Sequence, residues 1–482
     1  MIGLYFGTAL FIMKEEIAVK EYYLSELLEL KYGKDHKTLG NGTIPCYGSG
    51  GVIRYVNNSL YEKESILIPR KGSLNNLFFI NKPFWTVDTL FWSIINEKIV
   101  LPRYLFYKLK NLNLSSFNEG SAVPSLTTKT LNKISIKIHN LQLQERIISI
   151  LSSLDDKIEL NKKINQNLEE ICQNYFVEIF IKNSNKNCSI GQISDLGNIV
   201  SGATPSKKNQ KYYTNFGIPW ITPKDLSKIS NKFISRGNLD ITELGFKNSS
   251  VRLLPKGSVL FSSRAPIGYI AICNNDVTTN QGFKSIVPFK NIGTEFVYYF
   301  LKNNVQFLES RASGSTFKEI STTIMATTPA IIPKEEPLKV FKKICVNIFE
   351  KQYIIEKETE KLIELRDYLL PRLMSGEIDI SNLKISEISN SDLSFYLIQF
   401  FHLVKIKLKL FFFEEMNFVD NQFVFFLKEY LFLIPFVLYF LLLNFRLVFL
   451  YFLLHILNIK DLFFENRLLI LLHGYLLLIK YH

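Results

Sequence analysis

The sequence predicts an α+β chain: two similar domains of mixed strand and loop, separated by two long antiparallel coiled-coil helices and followed by an apolar helical C-terminal tail. Three observations carry the prediction. Glu119-Gly120-Ser121, Leu126 and Ile136-Lys137-Ile138 return as Ser313-Gly314-Ser315, Ile320 and Ala330-Ile331-Ile332, with Gly314 standing 194 residues after Gly120. Each copy runs into a long stretch with heptad spacing, and past Ser389 the composition turns almost wholly apolar. Solenoid repeats run to roughly 20 to 50 residues. A period this long therefore marks two whole domains, a pseudo-dimer on one chain suited to a target in two parts.

Residues 1–17 form an extension whose apolar start lacks a preceding basic residue and meets Lys14-Glu15-Glu16 at once, unlike a signal peptide, and Met13 is a candidate start. Residues 18–141 form the first domain, where short apolar runs such as Ser65 to Pro69 are broken by Gly, Pro and Asn. Helical periodicity governs 142–182, with a seam at Ile147, Leu151, Leu154, Ile158, Asn161, Asn165, Leu168, Cys172 and Tyr175. The second domain, 190–336, repeats the pattern. A second helix, 337–380, opens after Pro337 and has its seam at Phe341, Cys345, Ile348, Gln352, Ile355, Thr359, Leu362, Arg366 and Leu369, with its end expected at Pro371. The polar seam residues lower stability but select register and partner. Antiparallel pairing of the two helices follows from their place on one chain.

The tail, 390–482, contains Leu431 to Leu457, broken by Pro435, Asn444, Arg446 and His455, and a second apolar run from Leu468 to Ile479. Arg446 would cost roughly 2.5 to 3.5 kcal/mol near the centre of a bilayer. Two readings stay open: a membrane or partner-binding segment, and translation of A/T-rich DNA past the proper end of the frame.

At 482 residues the chain has room for about three domains. Its 57 Lys and Arg against 44 Asp and Glu give +13 and a pI near 9.2, a field that attracts polyanions, nucleic acid first and an anionic membrane second. The cysteines at 46, 172, 188, 273 and 345 are too scattered for a zinc knuckle or a disulfide scaffold, so a reducing cytoplasm is expected. None of the six histidines has metal-ligand spacing. Gly197 to Thr204 outlines a phosphate loop but has Ala203 where the lysine belongs, and Tyr47-Gly48-Ser49-Gly50-Gly51 lacks the last glycine of a dinucleotide fingerprint. No catalytic residue and no metal site is proposed.

A binding vocabulary remains. Lys34, Lys37 and Arg54, then Arg70, Lys71 and Asn75, occupy expected loops of the first domain; Lys207, Lys208, Gln210, Lys211 and Arg264 do so in the second. Lys and Arg neutralise phosphates, while Arg, Asn and Gln bond base edges at two points in the major groove. These eleven are the candidate DNA-binding residues.

The second domain carries Gly202-Ala203-Thr204-Pro205-Ser206, Tyr212-Tyr213, Gly217-Ile218-Pro219-Trp220-Ile221, Leu260 through Gly268 and Thr279-Asn280-Gln281-Gly282. The second helix closes on Leu369-Leu370-Pro371 and Leu373-Met374-Ser375-Gly376-Glu377, and the first domain carries Gly42 through Gly48 and Pro83 through Thr89. With these motifs, residues 18 to 385 resemble the specificity subunit of type I restriction-modification systems. The resemblance implies two target-recognition domains, each reading half of a split sequence in double-stranded DNA. It also implies docking of methyltransferase subunits and of a restriction subunit acting as motor and nuclease. S-adenosylmethionine, ATP and magnesium would then belong to those partners, and this chain would itself be non-catalytic and cytoplasmic. The extension and the tail depart from the family pattern. They leave a membrane-anchored basic protein and a degenerate orphan subunit as the alternatives.

A helix of about 30 residues is about 45 Å long. On duplex DNA at about 3.4 Å per base step, it would hold two readers at most roughly 13 base pairs apart. Helix length is thus expected to act as a ruler.

Overall fold

The computed structural model describes residues 19–228, 231–314 and 318–380, all inside one compact unit, Met1–Ile385. The expected extension and the apolar tail lie outside the described residues.

The repetition in sequence is a repetition of topology. In the first domain a four-stranded sheet has the order Leu28–Tyr32, Leu90–Ile95, Ser65–Pro69, Phe78–Ile80, all antiparallel. In the second the order is Gly197–Ser201, Lys284–Pro288, Val259–Ser263, Ile267–Cys273, with Phe233–Ile234 added in parallel at the far edge. Each domain also sets an Ile-Pro strand beside a short parallel strand, Asn41–Gly48 beside Trp85–Thr86 and Ile218–Ile221 beside Thr278–Thr279. An antiparallel ribbon forms the base of each, Lys20–Tyr23 with Ser135–Ile138 and Cys188–Gln192 with Pro329–Pro333. Central strands Ser65–Pro69 and Val259–Ser263 are buried at every position, which is why their text is continuously apolar or small rather than alternating.

The duplicated motif is the segment that closes each domain. Leu126 donates its N–H to the Arg70 carbonyl at 2.9 Å, and Ile320 does the same to the Ser263 carbonyl at 3.1 Å, so both side chains are plugged into their cores beyond the end of the central strand. The next residues, Thr127 and Ser321, cap short helices through their hydroxyls, which accept from the N–H groups of Thr130 and Ile324. The chain then enters the second strand of the basal ribbon and passes into a long helix.

The first long helix, Leu141–Phe176, is capped by the Asn140 side chain and continues as a π-helical turn, Val177–Lys182. The second, Glu335–Ser375, begins two residues before Pro337, which sits in the first turn where a missing N–H costs nothing. It also runs through Pro371, where the sequence predicted an end. Burial of Leu369, Leu370, Leu373 and Met374 carries it one turn further, to a left-handed cap at Gly376, φ 78°. At 36 and 41 residues the helices span about 54 and 61 Å.

Their cross-contacts run in opposite directions. Asp155 meets Arg366, Asn161 meets Glu358 and Thr359, and Asn165 meets Gln352, so the pair is antiparallel. Ile147, Leu151, Leu154, Ile158, Asn161 and Cys172 are buried, while Asn165 and Leu168 are half-buried. On the second helix Phe341, Cys345, Gln352, Ile355 and Leu369 are buried, and Ile348, Thr359, Leu362 and Arg366 half-buried. At the second domain the stripe widens. Phe176 and Phe180 are buried where Tyr175 was expected, and Phe349 joins them, because both helices there pack on the domain as well as on each other.

Candidate nucleic-acid interface

Loops converge at one end of the sheet built around Ser65–Pro69 and of the sheet built around Val259–Ser263. In the first domain Gly33 and Lys34 donate their N–H groups to the carbonyls of Leu90 and Thr86, and Arg70 donates its own to Thr89. The Asn76 amide reaches the Ser49 carbonyl at 2.7 Å, drawing the Tyr47 to Gly51 turn into the same cluster. The second domain repeats the construction, with Gly202 and Ala203 donating to Phe283 and Thr279 and Ser263 to Gly282. A Cβ on Gly33 would lie 2.0 Å from the Val87 carbonyl oxygen, and one on Gly202 1.9 Å from that of Asn280. Only glycine permits so close an approach of backbone to backbone.

Within the first cluster the candidates divide. Lys34, Lys37 and Lys71 are exposed. Arg54 is half-buried and bonds the Leu39 carbonyl and the Asn41 amide oxygen at 3.1 and 3.0 Å, bracing a loop against its strand. Arg70 lies over the Tyr32 ring at 5.4 Å and donates to the Asp88 carbonyl. Asn75 ties its loop to Asn113 and Ser115. Those three have internal partners and shape the loops that present the lysines.

In the second domain Lys207 and Lys208 are exposed on a turn, and Gln210 and Lys211 on the short helix Gln210–Tyr212 that follows it. Arg264 is held, with Lys284, on Glu319. Lys207 and Gln210 line an open cavity of about 650 Å³ with Tyr213, Thr214, Asn215, Trp220 and Leu239. The Tyr213 hydroxyl donates to the Pro205 carbonyl at 2.6 Å and the Trp220 indole to that of Ala203 at 3.1 Å, fixing two aromatic rings in its wall. Cations, amides and fixed rings on one concave surface suit phosphate, base edge and base face together. Asn215 and Trp220 were not singled out as site residues, since nothing in one sequence marks which loops a sheet will gather.

The joint between the second domain and the helices holds a buried charge cluster that sequence reasoning also missed. Lys232 is 4% exposed and pairs with Glu169 of the first helix at 2.5 Å. It also donates to Gln352 Oε1 at 2.6 Å and packs on the rings of Tyr298, Tyr299 and Phe349. Burial raises the Glu169 carboxyl, but Lys232 and Lys302 outweigh it and hold the group at about 2. Glu356 of the second helix accepts the N–H groups of Lys232 and Phe233, yet burial lifts it to about 7. The first domain meets the helices through Tyr107, donating to Asp155 at 2.7 Å, and Arg103, paired with Asp156 at 2.9 Å. Lys108 reaches the Met374 carbonyl at the far end of the second helix. Each domain thus grips the start of one long helix and the end of the other.

Among the described residues no cluster of His, Cys, Asp and Glu could hold a metal, and no helix is long and apolar enough to cross a membrane. Residues 17–170 and 185–365 match the family model described as the type I restriction modification DNA specificity domain. The type I restriction enzyme MjaIX specificity subunit of Methanocaldococcus jannaschii is 39% identical over 191 residues, 38% of this chain and 44% of that relative, so the match spans less than half of its length. The HindI specificity subunit of Haemophilus influenzae is 27% identical over 392 residues, 64% of this chain and 85% of the relative. The crystal structure of an S subunit from M. genitalium aligns with a TM-score of 0.54 at 15% identity, over 75% of this chain and 97% of that one, a likeness of fold.

Proposed function

Because the chain belongs to the type I restriction-modification DNA specificity family, we propose that it reads a bipartite target in double-stranded DNA, one half with each loop cluster, and scaffolds the subunits that act there. The observation that carries this reading is the repetition of one loop-gathering architecture at opposite ends of an antiparallel helix pair. Two readers on a rigid spacer match a target of two specific parts around an unread interval. Exposed Lys34, Lys37, Lys71, Lys207, Lys208 and Lys211 would neutralise phosphates, with Gln210 at a base edge. Arg54, Arg70, Asn75 and Arg264 would act at the same face by holding their loops.

The partners in this proposal are methyltransferase subunits and a restriction subunit in the cytoplasm. S-adenosylmethionine, ATP and magnesium would be bound by those subunits. The segments behind the membrane-anchored reading lie outside the described residues. Mapping methylated bases in a host that carries this chain with its methyltransferase partner tests the function. A split motif that vanishes when this chain is deleted is the expected result; an uninterrupted motif, or none, would reject it.

A further inference from the structure

Phe216 is 88% exposed, on the link between strands Tyr213–Thr214 and Ile218–Ile221 of the second domain. Both strands pair with Leu239–Ile241, so the link Asn215-Phe216-Gly217 crosses the end of that central strand. An exposed phenylalanine on a floppy loop would need no explanation. This one is on a braced link.

The N–H of Gly217 donates to Asp240 Oδ2 at 2.9 Å, and that of Phe216 to the Thr214 hydroxyl at 3.3 Å. Arg236 bonds the Asn215 carbonyl at 3.3 Å while paired with the buried Asp240. A buried carboxylate and a guanidinium therefore fix the backbone on both sides of a ring left in water. The neighbouring residues Thr214 and Asn215 line the cavity that also presents Lys207 and Gln210. Cations beside a rigid, solvent-held ring are what a side chain needs to enter a base stack. The phosphates are neutralised and the ring's ordering cost is met before binding. The corresponding stretch before Ile44-Pro45 in the first domain, Leu39 to Thr43, which enters the strand Asn41–Gly48, contains no aromatic residue.

We propose that Phe216 is a wedge that inserts between two base pairs of the DNA half read by the second domain, unstacking one step there. The inference rests on the DNA-reading function proposed above and adds to it a specificity-determining residue and a deformation confined to one half. A step that unstacks easily would be selected at that position without any base-edge contact.

The test uses the complex of this chain with its methyltransferase partner and duplexes carrying the motif found by methylome mapping, with 2-aminopurine placed at successive positions. Apart from bases extruded by the methyltransferase, which brighten equally with Phe216→Ala, binding should brighten the probe several-fold at one step of the second half and nowhere in the first. Phe216→Ala should abolish the brightening and weaken binding about tenfold, the scale of a lost stacking contact. Phe216→Trp should keep both. Tight binding of the wild type with no such bright step, or equal brightening there with Phe216→Ala, overturns the wedge while leaving the DNA-reading function standing. Failure to find any split motif rejects both.

Discussion

Lys232 Nζ stands 2.5 Å from Glu169 Oε2, a buried ion pair that joins the second domain to a helix that begins at the first. Three aromatic rings and Gln352 enclose the lysine, so its charge has no water to fall back on, while Glu169 is half-buried. Removing one partner of such a pair strands the other and costs roughly 3 to 5 kcal/mol. Glu169→Gln should therefore destabilise strongly, and Lys232→Met on that background should recover much of the loss. Urea unfolding of Glu169→Gln, Lys232→Met and the double variant measures the coupling; additive losses would mean that the pair does not act as one unit.

Glu356 makes the same joint sensitive to alkali. Its folded value, about 7, lies above the ordinary 4.5, because burial disfavours the ionised form. A raised pKa means that the contribution to stability is whole below about pH 4.5 and is lost as pH climbs to about 7. Over that 2.5-unit window the loss is at most about 3 kcal/mol. Glu169 works in the opposite sense, its contribution disappearing as pH falls from 4.5 toward 2. Between pH 5 and 8 the wild type should lose stability that Glu356→Gln does not. Thermal unfolding at the two pH values checks this, and equal slopes would reject it.

Leu126→Ala and Ile320→Ala should be equivalent lesions. Each residue plugs its own domain core from the closing segment, and a large-to-small change there costs about 2 to 5 kcal/mol. If the domains unfold as separate units, calorimetry should show one transition moving with each variant and the other staying. A shift of both transitions by either variant would show that the domains melt together.

The repeat was legible because closing a domain constrains sequence locally: a plug, a hydroxyl cap and a strand must follow one another at short spacing. As far as Asn161 the buried positions of the first helix fall at heptad spacing, because the first domain's contacts there, Tyr107 on Asp155 and Arg103 on Asp156, lie beside the stripe that faces the second helix. Past Cys172 a third surface enters and heptad spacing no longer decides which face is buried, so Phe176 replaces Tyr175. The joint was illegible. Asn231-Lys232-Phe233 reads as a loop with a solvated lysine, and only the fold brings Glu169, from 63 residues earlier, against it. The same limit hid the different duties of Lys71 and Arg54, alike in sequence but one exposed and the other a brace.

The helix pair can be lengthened without disturbing either reader, because a short interval of each helix lies between its contacts with the first domain, at Asp155 and Arg366, and those with the second, at Glu169, Glu356 and Glu360. Asn161 bonds Glu358 and Thr359, and Asn165 bonds the Gln352 carbonyl, around a midpoint that touches neither loop cluster. Seven residues inserted between Ile158 and Asn161, with seven opposite them between Glu360 and Leu362, preserve the seam phase and leave Glu356 and Glu360 on the second domain and Arg366 on Asp155. They add about 10.5 Å, close to three base pairs. Mapped methylation should show both half-sequences unchanged and the spacer longer by about three positions. Insertion in one helix alone would slide Arg366 away from Asp155 and should abolish assembly rather than change the spacer. An unaltered spacer in the doubly lengthened chain would mean that the readers are positioned by partner subunits instead of by the helices.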